Sequence, residues 1–216
     1  MKKLLSVFVG FMLCVTLVGC GGESHEAEIK ASVDGYMSAV KEGNYTRALE
    51  FTVGADKLKD NFGLSRIQEE YKNFFSEEEV SESANKAAQD FANYLMTKSI
   101  TEYTIDKITE NDNEATVELS GKCIDFEQMN VETGKVDTDQ LVQEYLEKNL
   151  SEYSQLMTEK GEEAVMQKVM EDVTPVLFDA MKKAVDSTPS RDFKMQMTIT
   201  NTDGKWLIST IDELQI

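Results

Sequence analysis

Apolar residues recur every three or four positions between residues 26 and 40, which predicts an amphipathic helix from about Glu26. The stripe consists of Ile29, Val33, Met37 and Val40. Gly43-Asn44 should end this helix, because glycine is favoured just past a helix end. Residues 45–51 then predict a second short helix.

Two capping boxes mark further helix starts. Ser65 with Gln68, and Ser76 with Glu79, each place a serine three residues ahead of a side chain that can bond back to its backbone N–H. An apolar stripe at helical spacing follows each box. The sequence therefore predicts two more helices before residue 100.

The period changes to two in two later regions. Residues 102–108 and 114–126 are rich in Thr, Ile, Val and Tyr and flank the turn residues 110–113, which predicts a hairpin. Cys123 falls on the apolar face of its second strand, where a buried and inert thiol is expected. A final hairpin has the apolar face Phe193, Met195, Met197 and Ile199, a turn at 201–204 and a returning strand that opens at Trp206.

Helical spacing dominates residues 137–186, in two apolar stripes separated by Gly161. Pro175 should kink or interrupt the second stripe, because proline has no N–H to donate. Residues 187–190 end the helical region. Helices followed by hairpins predict an α+β domain with its helices packed on one face of an antiparallel sheet.

The first twenty residues have the pattern of an export signal. Lys2 and Lys3 precede an uncharged apolar run, and Leu17-Val18-Gly19 stands directly before Cys20. Leu-Val-Gly-Cys resembles the lipobox of bacterial lipoproteins, which implies a signal peptide at 1–19, cleavage before Cys20 and lipid on its sulfur. Residues 20–25 would then form a tether on the extracytoplasmic face of the cell membrane. The alternative is an ordinary secretory signal that happens to contain Cys20.

Charge excludes several partners. The chain carries 22 Lys+Arg against 40 Asp+Glu, and loss of Lys2 and Lys3 with the leader takes the formal net charge from −18 to −20. Such a surface is repelled by nucleic acid and by anionic lipid. Membrane contact is therefore expected through the lipid anchor on Cys20 and not through the surface of the domain.

Two segments carry a family resemblance. Residues 36–49 read Tyr-Met-Ser-Ala-Val-Lys-Glu-Gly-Asn-Tyr-Thr-Arg-Ala-Leu, and residues 204–208 read Gly-Lys-Trp-Leu-Ile. They resemble uncharacterised lipoproteins of low-GC Gram-positive bacteria with a nuclear transport factor 2-like domain. The resemblance implies one domain at 26–216, with N-terminal helices packed on a curved antiparallel sheet around a conical pocket. Residues 137–187 would be a helical insertion, and no catalytic residue of the family maps onto this chain.

Candidate chemistry is sparse. His25, the one histidine, falls in the tether as a solvated linker residue, which removes the usual catalytic triads and histidine metal sites. Asp125 and Glu127 would share one side of a strand that stays regular past Ile124, and could bind a cation or act as acid and base. The alternative is a strand that emerges into solvent. No cofactor is expected.

Methionines offer the other candidate site. A soft-ligand site for Cu(I) would need several thioethers in one place, and core packing is the ordinary alternative. The candidates are Met157, Met166, Met170, Met181, Met195 and Met197.

Two functions from different classes remain. The first is a non-catalytic envelope module that binds a small apolar ligand or an envelope protein, with Tyr36, Phe91, Phe193 and Trp206 as candidate ligand-binding residues. Phe74 and Tyr94 are further candidates. The second is a small enzyme that uses carboxylates and tyrosines of the same cavity, and it requires a buried Asp or Glu with a raised pKa. The substrate-binding subunit of a transporter would need a longer, two-domain chain.

Overall fold

A computed structural model of the protein describes residues 24–74 and 82–215, with the side chains of 70–74 left undescribed. The predicted signal peptide, Cys20, the capping box at Ser76 and the side chain of Phe74 lie outside these residues. Within the two described ranges, no helix is long and apolar enough to cross a membrane.

Helices and strands follow the predicted order closely. The helices are α1 (Glu26–Lys41), α2 (Tyr45–Leu49), α3 (Leu64–Phe74), α4 (Glu82–Ser99), α5 (Phe126–Gly134), α6 (Thr138–Lys148), α7 (Leu150–Lys160) and α8 (Glu162–Ser187). The strands are β1 (Lys59–Asp60), β2 (Ile100–Asn111), β3 (Glu114–Ile124), β4 (Ser190–Thr202) and β5 (Lys205–Leu214). The predicted stripe of α1 is fully buried, and Gly43 leaves the helix with a φ of 69°.

The strands form one sheet in the order β1-β5-β4-β3-β2. All neighbours are antiparallel except β1, which pairs in parallel with β5. Both predicted hairpins are confirmed, and both turns lie at the same end of the sheet, because the N–H of Asn201 donates to the carbonyl of Asn113 at 2.8 Å. We call this the turn end. The opposite end, where β3 leads into α5 and α8 leads into β4, is the crossover end.

The core lies between the sheet and the helices. The predicted apolar face of β4 is buried throughout, and it packs with α1, α4 and the last turns of α8. Among the described side chains, every residue of this main core cluster falls between Ile29 and Ile211. Cys123 is fully buried on β3, as predicted. The α+β class, with helices packed on a largely antiparallel sheet, is confirmed.

His25 is not a solvated tether residue, and that prediction was wrong. Its Nδ1 lies 2.7 Å from Glu110 Oε1, and its backbone N–H donates to Glu110 Oε2 at 3.1 Å. Its ring centroid lies 5.4 Å from that of Trp206. The start of α1 is therefore fixed against the turn end of the sheet by residues far away in the sequence.

Two aspartates fix the starts of α3 and α5, and neither start was predicted from the sequence. Asp60 accepts the backbone N–H groups of Gly63 at 2.9 Å and Ser65 at 2.6 Å, so α3 begins at Leu64 and Ser65 is not its cap. Asp125 accepts two backbone N–H groups of the first turn of α5. The strand therefore stops at Ile124, and the prediction that Asp125 and Glu127 share a strand face was wrong.

Residues 137–187 are helical, as predicted, but divide differently. A break at Asn149 separates α6 from α7, Gly161 separates α7 from α8 with a φ of 85°, and α8 continues through Pro175 without interruption. The methionines are divided between the core and the surface. Met195 and Met197 are fully buried, whereas Met166 is 61% exposed, so the structure does not gather the thioethers at one site.

Candidate functional site

A cavity of about 500 Å³ opens at the crossover end of the sheet. This volume lies in the range of small-molecule binding sites. It is enclosed by the β1–α3 connection, α3, α4, α5, α8 and the crossover ends of β4 and β5. Its lining is Asn61, Phe62, Gly63, Arg66, Ile67, Phe91, Leu95, Phe126, Met129, Asn130, Thr133, Met181, Val185, Arg191 and Glu213.

The floor of the cavity is apolar and belongs to the core. Phe62, Ile67, Phe91 and Leu95 are buried. The Phe91 ring stacks on Phe178 with centroids 5.0 Å apart. Because these rings are held by packing on their far sides, the floor is a preformed surface and needs no rearrangement to meet a ligand.

The helix caps shape the walls. The Asp125 side chain fixes the first turn of α5, and the Asp125 backbone N–H donates to the carbonyl of Pro189 at 3.0 Å. This bond ties the start of α5 to the residue before β4. As a result Phe126 and Met129, both half-buried, face the cavity from one side.

Two arginines stand among the polar lining residues. Arg191 Nη2 lies 2.7 Å from Glu213 Oε1 across the β4–β5 pair. Burial acts to lower the pKa of Arg191, but the hydrogen bond to Glu213 and the neighbouring acidic groups outweigh it and raise that pKa. Arg66 is exposed on α3 and makes no ion pair with the side chains that the structure describes. The Arg191 guanidinium therefore stays charged beside an apolar floor.

The predicted ligand-binding residues do not meet at one place. Phe91 lines the cavity, and Phe193 lies behind it, with its ring 5.5 Å from that of Phe62. Tyr36 is buried in the core, where burial first and the charge of Asp60 second raise its pKa. Trp206 lies at the turn end of the sheet, far from the cavity. Contact of any of them with a ligand stays a prediction.

Sequence reasoning missed the arginines and α5. A signal for α5 exists, since Asp125 stands directly before Phe126, and Met129 and Thr133 continue at helical spacing. The only sequence signal for the arginines is their rarity, since the whole chain contains only Arg47, Arg66 and Arg191. Nothing local connects the last two, which come together through the fold.

Carboxylates of the kind that the enzyme alternative requires are not found in the described part of the chain. The buried polar side chains there are Thr52, Ser99 and Thr174, with no Asp or Glu among them. Glu213, the carboxylate that lines the cavity, is 39% exposed and already paired with Arg191. The described residues also contain no cluster of His, Cys, Asp and Glu that could hold a metal ion.

A second cleft of about 830 Å³ lies between α2, α3 and α4. Its lining includes the polar side chains of Glu42, Gln68, Glu69, Gln89 and Asn93. Although it is larger, it has no floor of buried aromatic side chains like that of the crossover-end cavity. We therefore take the cavity with the apolar floor as the candidate site.

Comparison with known proteins identifies no family. No family model matches the chain, and no curated protein matches it. One similar solved structure is an NTF-2 like protein of unknown function from Shewanella oneidensis MR-1, with 8% identity and a TM-score of 0.41, over 88% of this chain and 98% of that one. Another is a putative calcium/calmodulin dependent protein kinase II association domain from Xanthomonas campestris, with 11% identity and a TM-score of 0.36, over 93% of both chains. At these TM-scores the likeness carries no argument about function.

Proposed function

We propose that this protein is a lipoprotein, anchored through Cys20 on the extracytoplasmic face of the cell membrane, that binds a small apolar ligand without transforming it. The observation that carries the ligand-binding role is the cavity at the crossover end of the sheet. Its apolar floor, its volume of about 500 Å³ and its opening between helices are the features of a small-molecule site.

The energetics favour a ligand with apolar groups. Each CH₂ group removed from water contributes about 0.8 kcal/mol, and the cavity offers the half-buried side chains of Phe126, Met129 and Met181 as contact surface. The floor rings of Phe62 and Phe91 are themselves only 8% and 1% exposed. The free-energy cost of reorganising the cavity on binding is small, because Phe62 and Phe91 are already held in the core.

Binding is favoured over catalysis by the state of the polar groups. Acid–base chemistry needs a group whose pKa is poised near the working pH. The one carboxylate that lines the cavity among the described residues, that of Glu213, is already engaged by Arg191 in an ion pair of 2.7 Å. The cavity thus offers positive charge and apolar surface, which serve recognition.

Native mass spectrometry tests the ligand-binding role. The protein from Gly22 onward contains the whole described core, and we would incubate it with solvent extracts of bacterial envelope. A discrete added mass is expected for the unaltered protein and is expected to vanish in Asn130→Trp, which puts an indole at the exposed edge of the cavity. The matched control is Asn93→Trp, an exposed position at the second cleft. An added mass that survives Asn130→Trp, or no added mass at all, contradicts the proposal.

The anchor is tested separately in cells. We expect radioactive palmitate to label the unaltered protein and the Cys14→Ser variant but not Cys20→Ser. If the leader of the Cys20→Ser protein is removed, alkaline washing should release this variant from the membrane fraction. Labelling of Cys20→Ser would show that Cys20 is not the lipidated residue, and absence of labelling in the unaltered protein would overturn the lipidation proposal and favour an ordinary secretory signal.

An envelope protein is the second candidate partner, and the exposed face of the helical insertion favours it. Leu150 is 64% exposed, Met157 47% and Met166 61%, and methionine-rich surfaces adapt to varied partners. A photo-crosslinker at position 166 should then give a discrete product in cells that Leu150→Gln abolishes. The same crosslinker at Lys194, exposed on β4, is the control. Products that do not differ between the two positions contradict this role.

A further inference from the structure

Basic residues are distributed unevenly around the cavity. The chain is strongly acidic and has three arginines, yet two of them, Arg66 and Arg191, line this one cavity. The third, Arg47, pairs with Glu42 beside the second cleft. None of the lysines of the described residues lines the cavity. The basic side chains at this cavity are therefore all arginines among the described residues. A guanidinium group can donate two parallel hydrogen bonds to a planar carboxylate or a tetrahedral phosphate.

The charged side chains that line the cavity are mostly positive, unlike those of the protein as a whole. Two guanidinium groups and one carboxylate, that of Glu213, line it in a chain of net charge −18, and Asp125 acts on Arg191 from outside the lining. Arg191 uses Nη2 for Glu213, and its Nη1 donates to the carbonyl of Asp192 at a long 3.4 Å. Arg66 has no described acidic partner. Since each guanidinium has five N–H donors, most of this donor capacity remains available.

We infer that the cavity recognises an amphipathic anion, with a carboxylate or phosphate head held by Arg66 and Arg191 and an apolar chain laid on the aromatic floor. This inference rests on the proposed function and specifies its ligand. An inorganic anion would make no contact with the apolar floor. A cationic amphiphile would place its head group beside two positively charged guanidinium groups. A fatty acid and a lipid phosphate share the required chemistry.

Isothermal titration calorimetry tests the inference by comparing the affinities of ligands that share one alkyl tail and differ in the charge of the head group. The probes are dodecanoate, dodecyl phosphate and dodecyltrimethylammonium, each kept below its micelle concentration, with acetate as a head without a tail. The two anions are expected to bind at least about tenfold more tightly than the cation, the scale of one charge-assisted hydrogen bond. Acetate should bind far more weakly than dodecanoate. The stronger of the two anions identifies the source, a free fatty acid or a lipid phosphate.

Arginine variants locate the effect. Arg66→Gln, at an exposed position, should weaken dodecanoate binding by about tenfold and leave dodecyltrimethylammonium binding unchanged or stronger. Arg47→Gln is the matched control and should alter neither. For Arg191, whose loss would leave Glu213 unpaired, Arg191→Lys keeps the charge but removes the paired donors, and it should give a smaller loss. Thermal unfolding of each variant shows that the domain remains folded.

The outcomes separate the two proposals. Equal binding of the anions and the cation, or insensitivity to Arg66→Gln, overturns the anionic-head inference and leaves the apolar-ligand proposal standing. Absence of binding by every dodecyl compound overturns both. Binding of acetate as tight as that of dodecanoate also overturns the inference, because the tail would then contribute nothing.

Discussion

Removing the hydroxyl of Tyr36 should stabilise the protein, although a core side chain is usually costly to change. Tyr36 is 0% exposed, and its hydroxyl has no hydrogen-bond partner among the described residues. A buried polar group left unsatisfied costs about 1–3 kcal/mol. Tyr36→Phe deletes that group and keeps the ring, so we expect the free energy of unfolding to rise by up to this amount. In a domain of this size each kcal/mol raises the melting temperature by about 2–4 °C.

The same substitution at Tyr103 is the matched control, with the opposite sign. The Tyr103 hydroxyl donates to Asp34 Oδ1 at 3.0 Å. Burial and this bond raise the pKa of Tyr103 to about 12. Because the pair is half-exposed, its loss in Tyr103→Phe should lower stability by about 1 kcal/mol or less. Thermal and urea unfolding followed by circular dichroism measure both. A loss of stability in Tyr36→Phe would refute the reasoning and would mean that the hydroxyl is bonded, for instance to an internal water.

Three further predictions follow from helix caps, an ion pair and the thiol. Asp137 caps α6 by accepting the backbone N–H of Gln140 at 2.9 Å. Asp125→Ala and Asp137→Ala should each cost about 0.5–2 kcal/mol of stability in denaturant titrations. Only Asp125→Ala should also weaken ligand binding, because it loosens a cavity wall, and equal binding by both variants would contradict that. The hydrogen bond from His25 lowers the pKa of Glu110, so the stability that Glu110 contributes should be complete above the ordinary pKa of 4.5 and be lost as the pH falls further. The difference in melting temperature between the unaltered protein and Glu110→Gln should therefore close in acid. A difference that stays constant with pH would refute this. Burial raises the pKa of Cys123, so iodoacetamide should label it in urea and not in the native domain, and rapid native labelling would show it exposed.

The hairpins could be predicted because their signals are local. Alternation along β4 predicts which residues are buried, and Asp203-Gly204 supplies the two positive φ values, 52° and 80°, that a tight hairpin turn requires. The stripe of α1 is equally local. By contrast, β1 is two residues long and exists only because it pairs in parallel with β5, so no periodicity within it could show it.

The candidate site was harder to predict, because its parts come from distant segments. Phe91 could be proposed as an aromatic residue, but the placement of Arg66 and Arg191 at one cavity depends on the fold. α5 was missed because the β-rich sequence before Asp125 suggested a continuing strand. The contact between His25 and Glu110 spans 85 positions, which is why a residue near the predicted anchor was taken for part of a free tether.

The fixed start of α1 also determines which way a tethered molecule faces. His25 is held at the turn end of the sheet, and the five residues from Cys20 to His25 can span at most about 18 Å. The cavity lies at the other end of strands such as β3, whose 11 residues extend for about 35 Å. A lipid on Cys20 would therefore hold the hairpin turns near the bilayer and the arginines farthest from it. Under that proposal the protein would receive molecules that arrive from the side away from the membrane, and a membrane lipid would have to leave the bilayer before it could enter the cavity.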